Sequence, residues 1–376
     1  RETGRSTAIN RRMGTIKTAL LSVHDKTGLV DFARGLHEYG VQLLSTGGTA
    51  TALVDAGLPV QQISEYTASP EMLGGRVKTL HPKVFAGILA RRDDDGQMAE
   101  LDEHEVPPID LVAVNLYPFA ATVAQPQHTL QEALEQIDIG GVTLLRAAAK
   151  NSPGVVVVVD PEDYDGVLEA VRGDDLPLSR RLAWAARAIA HTAGYEASIC
   201  NYLNGLPEDA SLDATPGLQD TPATVAMTFD RIQGLRYGEN PHQTAAFFSD
   251  RATTPRSLAA AEQLHGKELS FNNILDLDAA WRLASALPAP AAAVMKHGNP
   301  CGAACGETLV DAYTKGRATD PVSAFGSVLG FNQRVDSDTA GEILTTFVEA
   351  IAAPDFDDDA LEMLREKKNL RLLRIP

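Results

Sequence analysis

Cysteine is scarce: the 376 residues hold 3, at Cys200, Cys301 and Cys305. Three thiols cannot form a disulfide framework, so apolar cores must hold the fold, and a reducing, cytoplasmic setting is expected. Positive charge is also short. Lys and Arg number 33 against 50 Asp and Glu, a formal net charge of −17. That balance excludes broad electrostatic binding to nucleic acid or to an anionic membrane, while leaving room for local basic pockets. Long hydrophobic runs are absent, and nothing approaches the roughly 18 apolar residues of a membrane span. The basic, polar stretch 1–13 has no apolar core and so is not a secretory signal. It reads as a disordered leader ahead of a natural start at Met13.

A metal site is also not expected. Pro300-Cys301 begins like the Pro-Cys-x-x-Cys of zinc deaminases, but Cys305 falls one residue too far on. No His-x-Glu precedes it in the same domain: His242 is followed by Gln243-Thr244, and His265 by Gly266-Lys267.

What is present is an ordinary globular composition, 44% hydrophobic and 22% charged, at a length suited to two or three domains. Lys17 to Val23 reads as a buried strand, followed by the turn His24–Gly28. Leu29, Val30, Phe32, Ala33 and Leu36 then recur at helical spacing, and Gly40 ends the helix. Val41 to Leu44 is a second strand, followed by Ser45-Thr46-Gly47-Gly48-Thr49 and a helix to about Ala56. Strand, glycine-containing turn, helix, twice over, is the grammar of a parallel α/β sheet, whose ligands sit beyond the carboxyl ends of the strands. Each turn offers backbone N–H groups at a helix start, a natural phosphate seat.

Gly74-Gly75-Arg76-Val77-Lys78-Thr79-Leu80-His81-Pro82 concentrates positive charge and donors behind a flexible glycine pair, and Pro82 pushes His81 towards extended backbone. An anion, most simply a phosphate, suits such a loop; a solvated basic turn is the plain alternative. Asp110 to Val114 is a further strand, with Tyr117 at its carboxyl end. Ile137-Asp138-Ile139-Gly140-Gly141 leads into a helix over Val142–Ala149 that ends at Lys150-Asn151. Asp138 suits either a proton acceptor or a helix start, and Lys150 either a site cation or a helix C-terminus. The valines of Gly154–Asp160 form a strand. Helices follow from Glu162 and from about Ser179 to Leu203. Residues 205–224, rich in Pro, Asp, Thr and Gly, read as a linker. Beyond it lie Arg236 to Gln243, a helix containing Trp281, and a strand over Ala291–Met295. That strand leads into a Gly/Pro turn, Lys296 to Gly302, with Lys296-His297 as a candidate proton-transfer pair.

Several uncommon strings then coincide in one order: Ser22–Gly28, Ser45–Thr49, Gly74–Pro82, Asn115–Phe119, Ile137–Asn151, Arg236–Gln243, Lys296–Gly302 and Asp320–Gly326. Together they closely resemble the bifunctional purine-biosynthesis family, AICAR formyltransferase/IMP cyclohydrolase, from about Lys17 onward. The resemblance implies an α/β fold: a methylglyoxal-synthase-like parallel domain at 14–204, then a cytidine-deaminase-like formyltransferase module from 225, without zinc. It implies cyclohydrolase catalysis by Lys78, Tyr117, Asp138 and Lys150. The nucleotide phosphate would lie near Ser22, His24, Lys26, Thr46, Gly48, Thr49, Arg76 and Thr79. Formyl transfer from 10-formyltetrahydrofolate would fall to Lys296 and His297, with AICAR contacts from Arg236, Tyr237, Asn273, Phe325, Gly326 and Glu349. AICAR, formyl-AICAR and IMP are the implied ligands, and a homodimer the implied assembly. The chain departs from the pattern at Asp355, where the family usually has glycine, and at His24, where serine or tyrosine is common. The family's chains also run well past Pro376, so the expectation is a truncated formyltransferase module and retention of the cyclohydrolase step alone. A nucleotide-binding regulatory module without turnover is the alternative of a different class.

Overall fold

The computed structural model describes residues 16–173, 175–219, 221–250 and 256–376; the expected leader lies outside them. The chain divides into two units, one ending at Met227 and the other running from Thr228 to Pro376.

The first unit is built on β1 (Thr18–Ser22), α1 (Leu29–Glu38), β2 (Gln42–Ser45), α2 (Gly47–Asp55), β3 (Val60–Gln62), α3 (Ile63–Thr67), α4 (Pro82–Leu89), α5 (Asp95–Glu103), β4 (Leu111–Val114), α6 (Phe119–Val123), α7 (Leu130–Glu135), α8 (Gly140–Lys150), β5 (Val156–Val158), α9 (Tyr164–Arg172) and α10 (Leu178–Asn204). Five strands pair in the order β3-β2-β1-β4-β5, every pair parallel. Alternate residues feed two cores. Leu20, Leu44, Val112, Val114 and Val157 pack to one side with α4 and α8. Leu21, Leu43, Leu111, Val156 and Val158 pack to the other with α1 and α9. Burial on both faces is why these strands read as unbroken apolar runs. Three turns therefore gather at one edge of the sheet: those after β1, β2 and β4. Residues 205–219, read above as linker, are held to this unit, since Leu130 N–H donates to Ala214 O and Gln131 N–H to Leu212 O.

The opposite edge is fixed by charge. Asp110 accepts from the N–H groups of Lys17 (2.9 Å) and Thr18 (3.2 Å), clamping the start of β1 beside the start of β4. Arg92 stands 3.6 Å from the same carboxylate and donates to Gly87 O and Ile109 O. Burial raises the Asp110 pKa above the ordinary carboxylate value, against the pull of those N–H groups and of Arg92.

The second unit contains β6 (Phe229–Leu235), β7 (Ala245–Asp250), β8 (Glu262–His265), α11 (Phe271–Ala286), β9 (Ala291–Lys296), β10 (Asn299–Cys305), α12 (Leu309–Thr319), β11 (Ser327–Phe331), α13 (Ser337–Ile343), β12 (Val348–Ala353), α14 (Asp358–Arg365) and β13 (Arg371–Arg374). Its main sheet is mixed, in the order β10-β9-β11-β12-β13-β8, and β6 and β7 form a separate hairpin. The expected turn Lys296–Gly302 is shorter than the sequence suggested. His297 and Gly298, both with left-handed backbone (φ 55° and 75°), make a tight two-residue connection, and Asn299 already begins β10. Pro300 misled the reading because proline is tolerated on an edge strand, which β10 is. Among the described residues no helix is long and apolar enough to cross a membrane.

Replacing Arg92 by methionine would leave the Asp110 carboxylate without its cation. The expected loss at pH 7 is about 2–4 kcal/mol of unfolding free energy, measured by urea denaturation. The loss should shrink as pH is lowered, because Asp110, whose ionisation burial already disfavours, takes up its proton more readily than an ordinary carboxylate. A pH-independent loss would mean that Arg92 acts only through the carbonyl groups it caps.

Candidate functional site

A cavity of about 720 Å³ opens over the gathered turns of the first unit. Its walls come from the turn after β1 (Ser22, His24, Lys26), the start of α2 (Thr46 to Thr49), the glycine loop (Gly74 to Leu80), the turn after β4 (Asn115, Tyr117) and the segment leading into α8 (Leu134 to Gly141). Every residue the sequence assigned to ring closure or to phosphate lines it, except Lys150.

The glycine loop carries strain that only its sequence can bear. Leu73, Gly74 and Gly75 all take positive φ (54°, 64° and 91°), which turns the chain back so that Lys78 crosses over Gly75. A Cβ on Gly75 would stand 2.7 Å from Lys78 Cε, and one on Gly47 3.0 Å from Lys78 Nζ. The ammonium thus lies over the first residue of α2. Lys26 Nζ approaches the next, 3.9 Å from where a Cβ on Gly48 would be. No side chain caps α2. Its free N–H groups, the positive end of its dipole and two ammonium groups converge on one spot, a seat for an anion.

The opposite wall is acidic and aromatic. Asp138 Oδ1 accepts from Gly141 N–H at 2.7 Å, so the helix-start reading of this residue holds even though the carboxylate also faces the cavity. A Cβ on Gly141 would fall 2.5 Å from Asp138 Oδ2; glycine there gives the carboxylate its place. Burial raises the Asp138 pKa above the usual carboxylate value, while the N–H groups of Gly141, Tyr117 and Gly140 and the charge of Lys78 pull it down. Tyr117 is 42% exposed, and its ring meets that of His24 edge to face at 5.8 Å.

Lys150 is the assigned residue that this unit does not bring to the cavity. It ends the 11-residue helix α8 whose start Asp138 caps, and at about 1.5 Å rise per residue the two ends lie on the order of 15 Å apart. The helix runs away from the cavity, so Lys150 is exposed at its C-terminus, where its charge complements the dipole. Thr49 is another partial departure. Its hydroxyl accepts from Val23 N–H and donates to Val23 O, so only its backbone faces an incoming anion.

Four residues escaped the sequence reading as site members. Thr46 Oγ1 donates to Glu71 Oε1 at 2.5 Å, and Arg76 pairs with Glu135. Asn115 Oδ1 accepts from the N–H groups of His24 (2.6 Å) and Asp25 (2.9 Å), pinning the first turn. Tyr195, on α10, accepts from Asp138 N–H at 2.8 Å and donates to Gln136 O, fixing the backbone that carries the carboxylate. Burial pushes its phenol up to about 12, so it stays protonated as that donor. Only Asn115 had a local signal, as part of Asn115–Phe119.

In the second unit, adjoining strands bring most of the assigned residues to one end of the sheet. Met295 pairs with Val328 and Ser327 with Val348, which aligns Lys296, Gly326 and Glu349. Lys296 Nζ donates to Phe325 O at 2.7 Å, and Asn273 Nδ2 to Glu349 Oε2 at 3.2 Å. Asp276 accepts from Gly298 N–H, holding the His297 turn against α11. Arg236 and Tyr237 form a pair of their own, the guanidinium 4.8 Å from the ring centroid.

The first unit, a parallel sheet with an anion seat over its carboxyl edge, is matched by the MGS-like domain over residues 28–143. A second match, over residues 148–376, spans more than half the sequence: the chain belongs to the AICARFT/IMPCHase bienzyme family. That family is one of purine-biosynthesis enzymes, with transferase and hydrolase activities. A solved structure titled "Crystal structure of ForH" is similar at 40% identity over 49% of this chain and 95% of that one, with a TM-score of 0.45.

Carboxyl ¹³C shifts should place the Asp138 pKa above the ordinary Asp value, and Lys78→Ala should raise it further, because the ammonium's attraction is lost. Since this carboxyl ionises less readily folded than unfolded, its contribution to stability is full below the unfolded pKa and drains as pH rises through the folded one. Asp138→Asn should flatten that part of the stability profile. An Asp138 pKa at or below the ordinary value would contradict the burial described here.

Proposed function

We propose that the first unit closes the purine ring: formyl-AICAR enters the cavity and leaves as IMP and water. The observation that carries this reading is the meeting of Lys78, Tyr117 and Asp138 in the same cavity as the anion seat. A phosphate-binding module needs neither a phenol nor a carboxylate there. The substrate's phosphate sits on the N–H groups at the start of α2, with Lys26, Arg76, Thr79 and Ser22 around it. A volume of about 720 Å³ suits a nucleoside monophosphate. The carboxamide nitrogen then attacks the formyl carbon. Asp138 takes the proton from that nitrogen and Lys78 and Tyr117 donate to the developing oxyanion; the carbinol oxygen then leaves as water while the former formamide nitrogen gives up its proton and forms the ring C=N bond. Holding both reacting groups of one molecule in attack geometry supplies the rest of the acceleration.

For the second unit we propose formyl transfer from 10-formyltetrahydrofolate to the amine of AICAR. His297 accepts the amine proton, Lys296 holds charge beside it, and AICAR contacts come from Arg236, Tyr237, Asn273, Phe325, Gly326 and Glu349. The tight His297-Gly298 turn supports this reading, because it holds the imidazole's backbone at the strand end where Lys296 emerges. A homodimer in the cytoplasm belongs to the same proposal.

Purified protein should convert formyl-AICAR to IMP, followed by purine absorbance; binding without turnover would favour the regulatory-module reading. Lys78→Ala should lower turnover by about 10²-fold or more. Asp138→Asn should lower it while leaving IMP affinity within a few fold. The acid limb of the wild-type pH–rate profile should lie above the ordinary carboxylate range, since Asp138 must be ionised to act as base and burial opposes its ionisation.

A further inference from the structure

We propose that His24 is a positioning residue for Tyr117, and not a phosphate contact. The inference rests on the ring-closure reading of the cavity. Strand order makes the case first. The sheet runs β2-β1-β4, so the turn after β1 stands between the anion seat at the start of α2 and Tyr117 beyond β4. The two side chains of this turn part company. Lys26 goes to the α2 side, its Nζ held by His24 O at 3.3 Å and close over Gly48. The His24 ring goes to the β4 side and meets the Tyr117 ring edge to face, with centroids 5.8 Å apart and planes at 85°.

The backbone of His24 has nothing left for a phosphate. Its N–H is given to Asn115 Oδ1 at 2.6 Å, and its carbonyl accepts from Lys26. Asn115 is two residues from Tyr117 and also donates to Asp25 O at 2.9 Å, so one side chain ties the β1 turn to the segment bearing Tyr117. Tyr117 itself has little else to orient it. It is 42% exposed. An edge-to-face contact sets the positive rim of one ring against the negative face of the other, which fixes a plane without fixing the hydroxyl. The phenol is thereby aimed while its proton stays available to the substrate. His24 thus belongs to the reacting end of the cavity, with Lys26 as the phosphate end's share of the same turn.

The test compares His24→Ala with His24→Phe, which keeps a flat ring but no nitrogen to offer a phosphate. His24→Ala should lower turnover of formyl-AICAR by about three- to tenfold, the size of one lost edge-to-face contact. Its affinity for IMP should stay within about twofold of wild type, and His24→Phe should restore turnover. Equal weakening of IMP affinity in both variants would make His24 a phosphate contact and overturn the proposal. A second measurement does not depend on turnover: the ring-proton shifts of Tyr117 in ligand-free, tyrosine-labelled protein, assigned with Tyr117→Phe. They should move in His24→Ala. If they do not, the pairing is wrong whatever the reaction. If they move while wild-type protein fails to make IMP, the pairing is supported and only the ring-closure reading falls.

Discussion

Two helix N-termini open onto one cavity, and the site is arranged around that fact. The N-terminus of α2 carries free N–H groups and draws Lys26 and Lys78 over it. That of α8 is occupied by the carboxylate of Asp138. One helix end is left open for a ligand's negative charge, and the other is closed with a charge of the protein's own. Both follow from a parallel sheet, in which helices return so that the next strand can start, and their N-termini sit over the carboxyl edge.

The first unit's sheet was largely legible, because its central strands are buried on both faces and its helices α1, α8 and α10 are periodic. The short elements α3 to α7 were not, since helices of five to nine residues between turn residues show too few repeats to declare a period. In the second unit β11, β12 and β13 escaped for the opposite reason: brief runs such as Val348–Ala353 are apolar enough to suit a strand or a buried helix. Cavity residues were found where they clustered in short strings beside glycines. Glu71, Glu135 and Tyr195 were not, because their partners lie 25, 59 and 57 residues away and nothing local marks them. Lys150 lies apart from the cavity because of direction. Its spacing from Asp138 was plain, but whether α8 lies across the strand ends or runs back along the sheet is decided by packing against β4, β5 and α10.

The pairing of Arg76 with Glu135, and of Thr46 with Glu71, bears on how the catalyst cycles. The cavity's donors are not a set of bare cations; two carboxylates, Glu135 and Glu71, already sit among them. On the ring-closure reading proposed above, an arriving phosphate would exchange partners with these carboxylates, and its departure would hand the donors back. The net grip on a phosphorylated molecule would be smaller than a tally of its contacts suggests, and the proposed substrate and product carry the same phosphate. Tight uniform holding would slow release without speeding the chemical step. In the proposed reaction, built-in carboxylates would keep both ground states shallow and so favour release.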